Sequence, residues 1–176
     1  MKLPKNLLTI VAHYESLHDG DLSVIGLQPK MCPAGYWTEG YGSLVLDDKG
    51  NRISGSANKR AALLYSKIHT VEQAIGSLNF ELTKRWQWVD SLKLTLTENQ
   101  QVALVSLSYN IGFPAFVGST LLKKIKSKST NTLIDVAFRA WNKGTVNGKK
   151  VVLKGLDARR TTESLMFITG ELKFFN

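Results

Sequence analysis

A carboxylate, a thiol and a hydroxyl capable of chemistry lie close together near the N-terminus: Glu15, Cys32 and Thr38. A carboxylic acid beside apolar residues such as Tyr14 and Leu17 can hold a proton at neutral pH and deliver it. A thiol becomes a nucleophile when a His base and an orienting partner serve it. A Thr hydroxyl can hold a water or a sugar oxygen. Taken singly, each residue has a plainer reading. Glu15 reads as a solvated surface carboxylate, Cys32 as a small buried hydrophobe, and Thr38 as an ordinary strand former. The three histidines, His13, His18 and His69, show no spacing that ties them to Cys32 or makes a ligand set with it. Neither thiol catalysis, nor a metal site, nor a cofactor is therefore expected. Glu39 follows Thr38 directly, and neighbouring strand residues face opposite sides. It is expected on the face away from Thr38, partly exposed or paired with a Lys or Arg, with a structural role capping the loop before Cys32 as the alternative.

The elements that must position these residues can be read from periodicity. "NLLTIVAHYESL" spaces its apolar residues at helical intervals and ends in "HDGD", which is turn chemistry. Residues 22–36 read as irregular, punctuated by Gly26, Pro29, Pro33 and Gly35. "YWTEGYGSLVL", "DDKGN" and "RIS" predict a β-hairpin over roughly 36–54. From Ala57 onward the pattern is helical. Thr70 with Gln73, Thr97 with Gln100, and Asp157 are the predicted N-caps. The expected fold is α+β and mostly helical, a single domain over 1–176. A small α/β lobe spans about 13–60 and a larger helical lobe about 61–176, with a ligand cleft expected between them.

Composition narrows the partners. Lys and Arg number 23 against 14 acidic residues, giving +9 and a pI near 9.7. That excess favours a polyanion: nucleic acid, an anionic membrane surface or an acidic wall polymer. The basic residues are scattered over all segments with no recognition-helix or RNP-like motif, which argues against a nucleic-acid-binding protein. The apolar run "LLTIVA" is too short for a signal segment or a membrane span. Synthesis and folding in a cytoplasm, without stable membrane insertion, are expected.

The combination "HYES … MCPAGYWTEGYG" resembles the start of the phage-type lysozymes, the endolysins of glycoside hydrolase family 24. In that family a helix ends in a glutamate. An Asp or Cys follows, then five residues and a Thr that opens a T-x-G-Y-G hairpin. Glu15, Cys32 and Thr38 fill these places with the same five-residue gap. "QQVALVSLSYNIG", "FPAFVGSTLLKKI", "FRAWNKG" and "KGLDARRTTESLMF" are similar to later family segments, in the same order. The resemblance implies a two-lobed lysozyme fold and a monomeric muramidase. Its substrate would be peptidoglycan, cut at the β-1,4 bond between N-acetylmuramic acid and N-acetylglucosamine. It implies Glu15 as general acid, with Cys32 and Thr38 on the opposite face of the bond, and Leu44, Tyr109, Asn110 and Ser119 as substrate contacts. Plainer readings make Leu44 and Tyr109 core residues and Ser119 a helix cap. Arg159 and Arg160 are expected in structural ion pairs. The activity implied is bacteriolysis from the host cytoplasm, after release through a separate membrane-permeabilising protein.

Two features depart from the family pattern. Cys32 follows Glu15 by seventeen positions where the family usually has nine, the excess lying within "HDGDLSVIGLQPKM". A loop insertion of this length is cheap, and it brings in Asp19 and Asp21 as alternative second carboxylates. A thiol is also a weak base beside a carboxylate, so Cys32 is expected to position water more than to deprotonate it. A lysozyme-fold protein that binds glycan without cutting it is the remaining alternative. The retained Glu15 and Thr38 argue against it.

Overall fold

The structure, a computed structural model, describes residues 2–146 and 148–176. The chain forms two compact units, Glu15–Glu81 and Met1–Tyr14 with Leu82–Asn176. Their limits fall at the end of helix α1 (Lys5–Glu15) and inside helix α3 (Val71–Asp90).

The unit Glu15–Glu81 is built on a three-stranded antiparallel sheet: β1 (Lys30–Met31), β2 (Trp37–Glu39) and β3 (Ser43–Leu44), in that spatial order. Thr38 pairs with Lys30 on one side and Leu44 on the other. The expected hairpin is present, but its return past the Asp47 turn consists of the single bridges Leu46↔Arg52 and Tyr36↔Ser54. Asp47 closes that turn by accepting from the Lys49 and Asn51 amides, at 2.9 and 2.7 Å. The segment 22–36, read as irregular, is corrected here, since it supplies β1. A two-residue strand carries no apolar alternation to reveal it.

The long connection before β1 is anchored. Leu27 is buried with Ile68 and Ala74, its amide donates to the His69 carbonyl at 3.1 Å, and Gly20 donates to the Gln28 carbonyl at 3.0 Å. Only the tip of this loop is open, with Leu22, Val24 and Ile25 exposed. Trp37 packs with Val45, Ile53 and Ala62 of α2 (Lys59–Tyr65).

Glu39 departs from expectation. It does face away from Thr38, but it is 5% exposed and has no Lys or Arg partner among the ion pairs of the described residues. Its Oε2 accepts from Ser66 Oγ at 2.8 Å and from the Lys67 and Ile68 amides at 2.9 and 3.1 Å. A buried carboxylate is stable there because it gathers three donors from the extended chain that follows α2. Glu39→Val is expected to orphan the buried Ile68 amide and the part-buried Lys67 amide and cost about 1–3 kcal/mol. Urea denaturation checks this, and a loss under about 0.5 kcal/mol would remove the capping role.

In the second unit, helix α4 (Glu98–Ile111) is buried through seven consecutive residues, Val102–Ser108. A helix apolar all round belongs in a core, and its two serines there need partners. Ser106 Oγ donates to Glu163 Oε1 at 2.7 Å, and Ser108 Oγ to the Val105 carbonyl at 3.0 Å. Short helices α5 (Phe113–Val117), α6 (Thr120–Lys126) and α7 (Asn131–Arg139) follow, and α8 (Lys154–Thr169) packs on α4 and α7. Both predicted capping boxes are present, Thr70 with Gln73 and Thr97 with Gln100. Asp157 is not a cap. It lies inside the first turn of α8 and accepts from Asn142 Nδ2 at 2.8 Å. The helical reading also fails at 143–152, where β4 (Lys143–Val146) and β5 (Lys149–Val152) pair antiparallel.

Candidate active site

Thr38 is the centre of the site. With Lys30 and Leu44 directly opposite it, the pleat puts these three side chains on one face of the sheet. Thr38 Oγ1 donates to the Lys30 carbonyl at 3.0 Å and lies 3.0 Å from His18 Nδ1. His18 reaches it because the chain leaving α1 forms a bridge to Gly40, the His18 amide donating to the Gly40 carbonyl at 2.7 Å. Burial, and then the Lys30 ammonium, push the His18 imidazole below its ordinary value; the Glu15 carboxylate pulls the other way with less effect. The ring is therefore neutral at pH 7.

Glu15 is the last residue of α1, and Ser16 turns the chain out of the helix at φ +57. A Cβ on Gly42 would stand 3.7 Å from Glu15 Oε2, so Gly42, at φ +91, brings bare backbone against the carboxylate. Gly40 has a separate reason. At φ +57, a Cβ there would meet Ile68 Cδ1 at 2.9 Å and Ala74 Cβ at 3.4 Å. The two glycines of "TEGYG" thus serve different contacts, one to the carboxylate and one to the core.

Cys32 is half-buried and opens the β1–β2 turn. Its amide donates to the Tyr36 carbonyl, and its carbonyl accepts from the Gly35 amide, both at 2.8 Å. Continuing the register Lys30↔Thr38 and Met31↔Trp37 puts Cys32 on the Thr38 side, one diagonal step away. Such diagonal neighbours have Cβ atoms about 7–8 Å apart. The eight extra residues thus return the chain in register with β2.

The two alternative carboxylates are placed differently. Asp21 Oδ1 accepts from Ser23 Oγ at 2.6 Å and the Ser23 amide at 3.1 Å, which holds its carboxyl below the usual carboxylate value. With Met31, Trp37, Lys59 and Leu63, Asp21 lines a cavity of about 320 Å³. Met31 and Trp37 occupy the face turned from Thr38. Asp19 Oδ1 is buried without a hydrogen-bond partner among the described residues.

Of the expected substrate contacts, Leu44 is partly exposed on the Thr38 face. Tyr109 and Asn110, in the other unit, end α4. The Arg85 guanidinium lies 4.5 Å from the centre of the Tyr109 ring, and Asn110 Oδ1 accepts from Arg160 Nη1 at 3.2 Å. Ser119 is 4% exposed and caps α6, its Oγ accepting from the Leu122 amide at 3.0 Å. That placement favours the capping reading of Ser119. Arg159 and Arg160 both pair with Glu163, with Arg159 Nε to Oε1 at 3.1 Å and Arg160 Nε to Oε2 at 2.8 Å, all buried. His18 is the site residue that sequence reasoning did not single out, because its bond to Thr38 spans twenty positions.

The family model described as phage lysozyme matches residues 24–163. The endolysin of Acyrthosiphon pisum secondary endosymbiont phage 1 is 32% identical over 168 residues, covering 95% of this chain and 98% of that protein. Among solved structures, the endolysin from Escherichia coli O157:H7 phage FAHEc1 superposes with a TM-score of 0.75 at 29% identity, covering 98% of this chain and 97% of that one. The muramidase domain of SpmX from Asticaccaulis excentricus superposes with a TM-score of 0.71 at 28% identity, covering 96% and 98% respectively.

Proposed function

The chain belongs to the phage lysozyme family, and we propose on that premise that it is an endolysin acting on peptidoglycan as a muramidase. It hydrolyses the β-1,4 bond between N-acetylmuramic acid and N-acetylglucosamine. The observation that carries the site assignment is the grouping of Glu15 and Thr38 about one strand pair, Glu15 against Gly42 and Thr38 against His18. Glu15 protonates the leaving oxygen as the glycosidic bond breaks. A water held on the Thr38 side adds to the anomeric carbon, and the proton it sheds returns through solvent to the Glu15 carboxylate. Net consumption is one water per bond.

Cys32 orients that water together with Thr38. Leu44, Tyr109 and Asn110 contact the glycan, and the charge of +9 draws the protein to an acidic wall. The enzyme acts as a monomer made in the bacterial cytoplasm, and a separate membrane-permeabilising protein gives it access to the wall. Among the described residues, no helix is long and apolar enough to cross a membrane.

The test is clearing of permeabilised Gram-negative cells by purified protein. Failure to clear them would reject the reading. In the same assay Cys32→Ser, which keeps a small hydrogen-bonding side chain, is expected to retain activity within about tenfold of wild type. A loss as deep as that of Glu15→Gln would make the thiol a participant in proton transfer. Asp19→Ala is expected to stay active, and its inactivity with Cys32→Ser intact would move the second group to Asp19.

A further inference from the structure

The bonds at Thr38 settle which way its hydroxyl points. A carbonyl oxygen only accepts, so the bond to the Lys30 carbonyl takes the single hydroxyl proton. The contact at 3.0 Å to His18 Nδ1 must then run the other way, with Nδ1–H donating to Thr38 Oγ1. The neutral ring accordingly carries its proton on Nδ1 and a lone pair on Nε2. Thr38 Oγ1 is left with one unused lone pair. A water meeting it can only donate a proton to it, which leaves the water oxygen's own lone pairs aimed elsewhere. Polarity at Thr38 is thus set by its two neighbours, one on β1 and one on the loop that follows α1.

We propose that His18 is a positioning residue for the glycoside hydrolysis, its Nδ1–H fixing the Thr38 hydroxyl as an acceptor that orients the attacking water. This rests on the muramidase reading above. The same residue ties the two halves of the site together, since its amide holds Gly40, which follows Thr38 by two positions. The charged groups that act on its ring are Lys30 of β1 and Glu15 of α1.

The inference is tested by two measurements. In the first, kcat and KM are separated on solubilised glycan strands for His18→Leu and His18→Asn, with folding monitored by thermal melting. The Asn amide places a donor near the position of Nδ1. His18→Leu is expected to lose about ten- to a hundredfold in kcat, the scale of a misplaced reactant, with KM within about twofold. His18→Asn should recover most of that loss. Wild-type kcat in His18→Leu would overturn the inference, as would a folded His18→Asn as impaired as His18→Leu. The second measurement needs no variant. ¹⁵N chemical shifts of the wild-type imidazole at pH 7 should show Nδ1 protonated and Nε2 bare. The opposite tautomer would overturn the inference even if both variants fail to fold. Wild-type protein that leaves glycan strands uncut would instead reject the muramidase reading, a result distinct from either of these.

Discussion

Replacing Glu15 with Gln is expected to lower kcat on peptidoglycan by roughly 10²–10⁴-fold, the range over which a positioned acid contributes to proton transfer. Gln preserves the volume and both polar atoms of the side chain but has no proton to give the leaving oxygen. The carboxylate stands at the end of a helix, partly exposed, with the Gly42 backbone beside it. Gln keeps the size and a polar tip at this part-buried position. The melting midpoint is accordingly expected to stay within a few degrees of wild type, as for substitutions outside the core. The informative result is the combination: activity lost and the fold retained. A folded variant that clears cells at the wild-type rate would remove Glu15 from the mechanism.

The largest effect on stability is expected at Glu163. Its two oxygens serve both buried guanidiniums and the Ser106 hydroxyl, with the Arg159, Arg160 and Glu163 side chains 3%, 0% and 0% exposed. Taking one member from a buried charge cluster costs about 3–5 kcal/mol, because the remaining charges lose their compensation without regaining water. Glu163→Gln keeps the shape and isolates the charge. It should lower the denaturation free energy by that amount and the melting midpoint by roughly 6–20 °C for a chain of this size. Replacing all three residues by apolar side chains of similar volume is a different experiment, and can leave stability nearly unchanged. A Glu163→Gln loss below about 1 kcal/mol would mean that the triad is compensated elsewhere. The bond from Arg160 Nη1 to Asn110 Oδ1 also links this cluster to the end of α4. Weakened glycan binding in Glu163→Gln is expected to accompany its instability.

Much of this architecture was legible in the chain. The first helix, the strand bearing Thr38 and the two capping boxes rest on local patterns, apolar period and side chains that bond backbone three residues away. The five-residue gap between Cys32 and Thr38 is equally local. Features that were missed depend on partners far along the chain or on short exposed elements. Glu39 is buried because donors at residues 66–68 converge on it, and no pattern around position 39 announces them. His18 matters through Gly40 and Thr38, reached by a backbone bridge. The sequence between β4 and β5 did carry the Asn-Gly signal favoured in tight turns. Its strands are Lys-rich and mostly exposed, so the alternation that usually marks a strand is weak. The helical pattern read from Ala57 onward ran into this segment, whereas α7 stops at Arg139.

The anchoring of the loop also explains why the insertion between Glu15 and Cys32 need not disturb the site. The loop is fastened at its base by His18 to Gly40 and Gly20 to Gln28, and midway by Leu27 against Ile68 and Ala74. Length is absorbed at the exposed tip, where Asp21 and Ser23 form a local turn. Loop extension of this kind costs little conformational entropy, and it delivers an imidazole to the Thr38 hydroxyl.

The most direct test of the central claim is the chemistry of the ends that the enzyme leaves. Purified peptidoglycan is digested to completion, reduced with borohydride and analysed by mass spectrometry, with Glu15→Gln as control. Hydrolysis at the proposed bond predicts products ending in N-acetylmuramitol, absent from the control. Products ending in N-acetylglucosaminitol, anhydromuramic ends formed without water, or cleavage confined to the peptides would each contradict it.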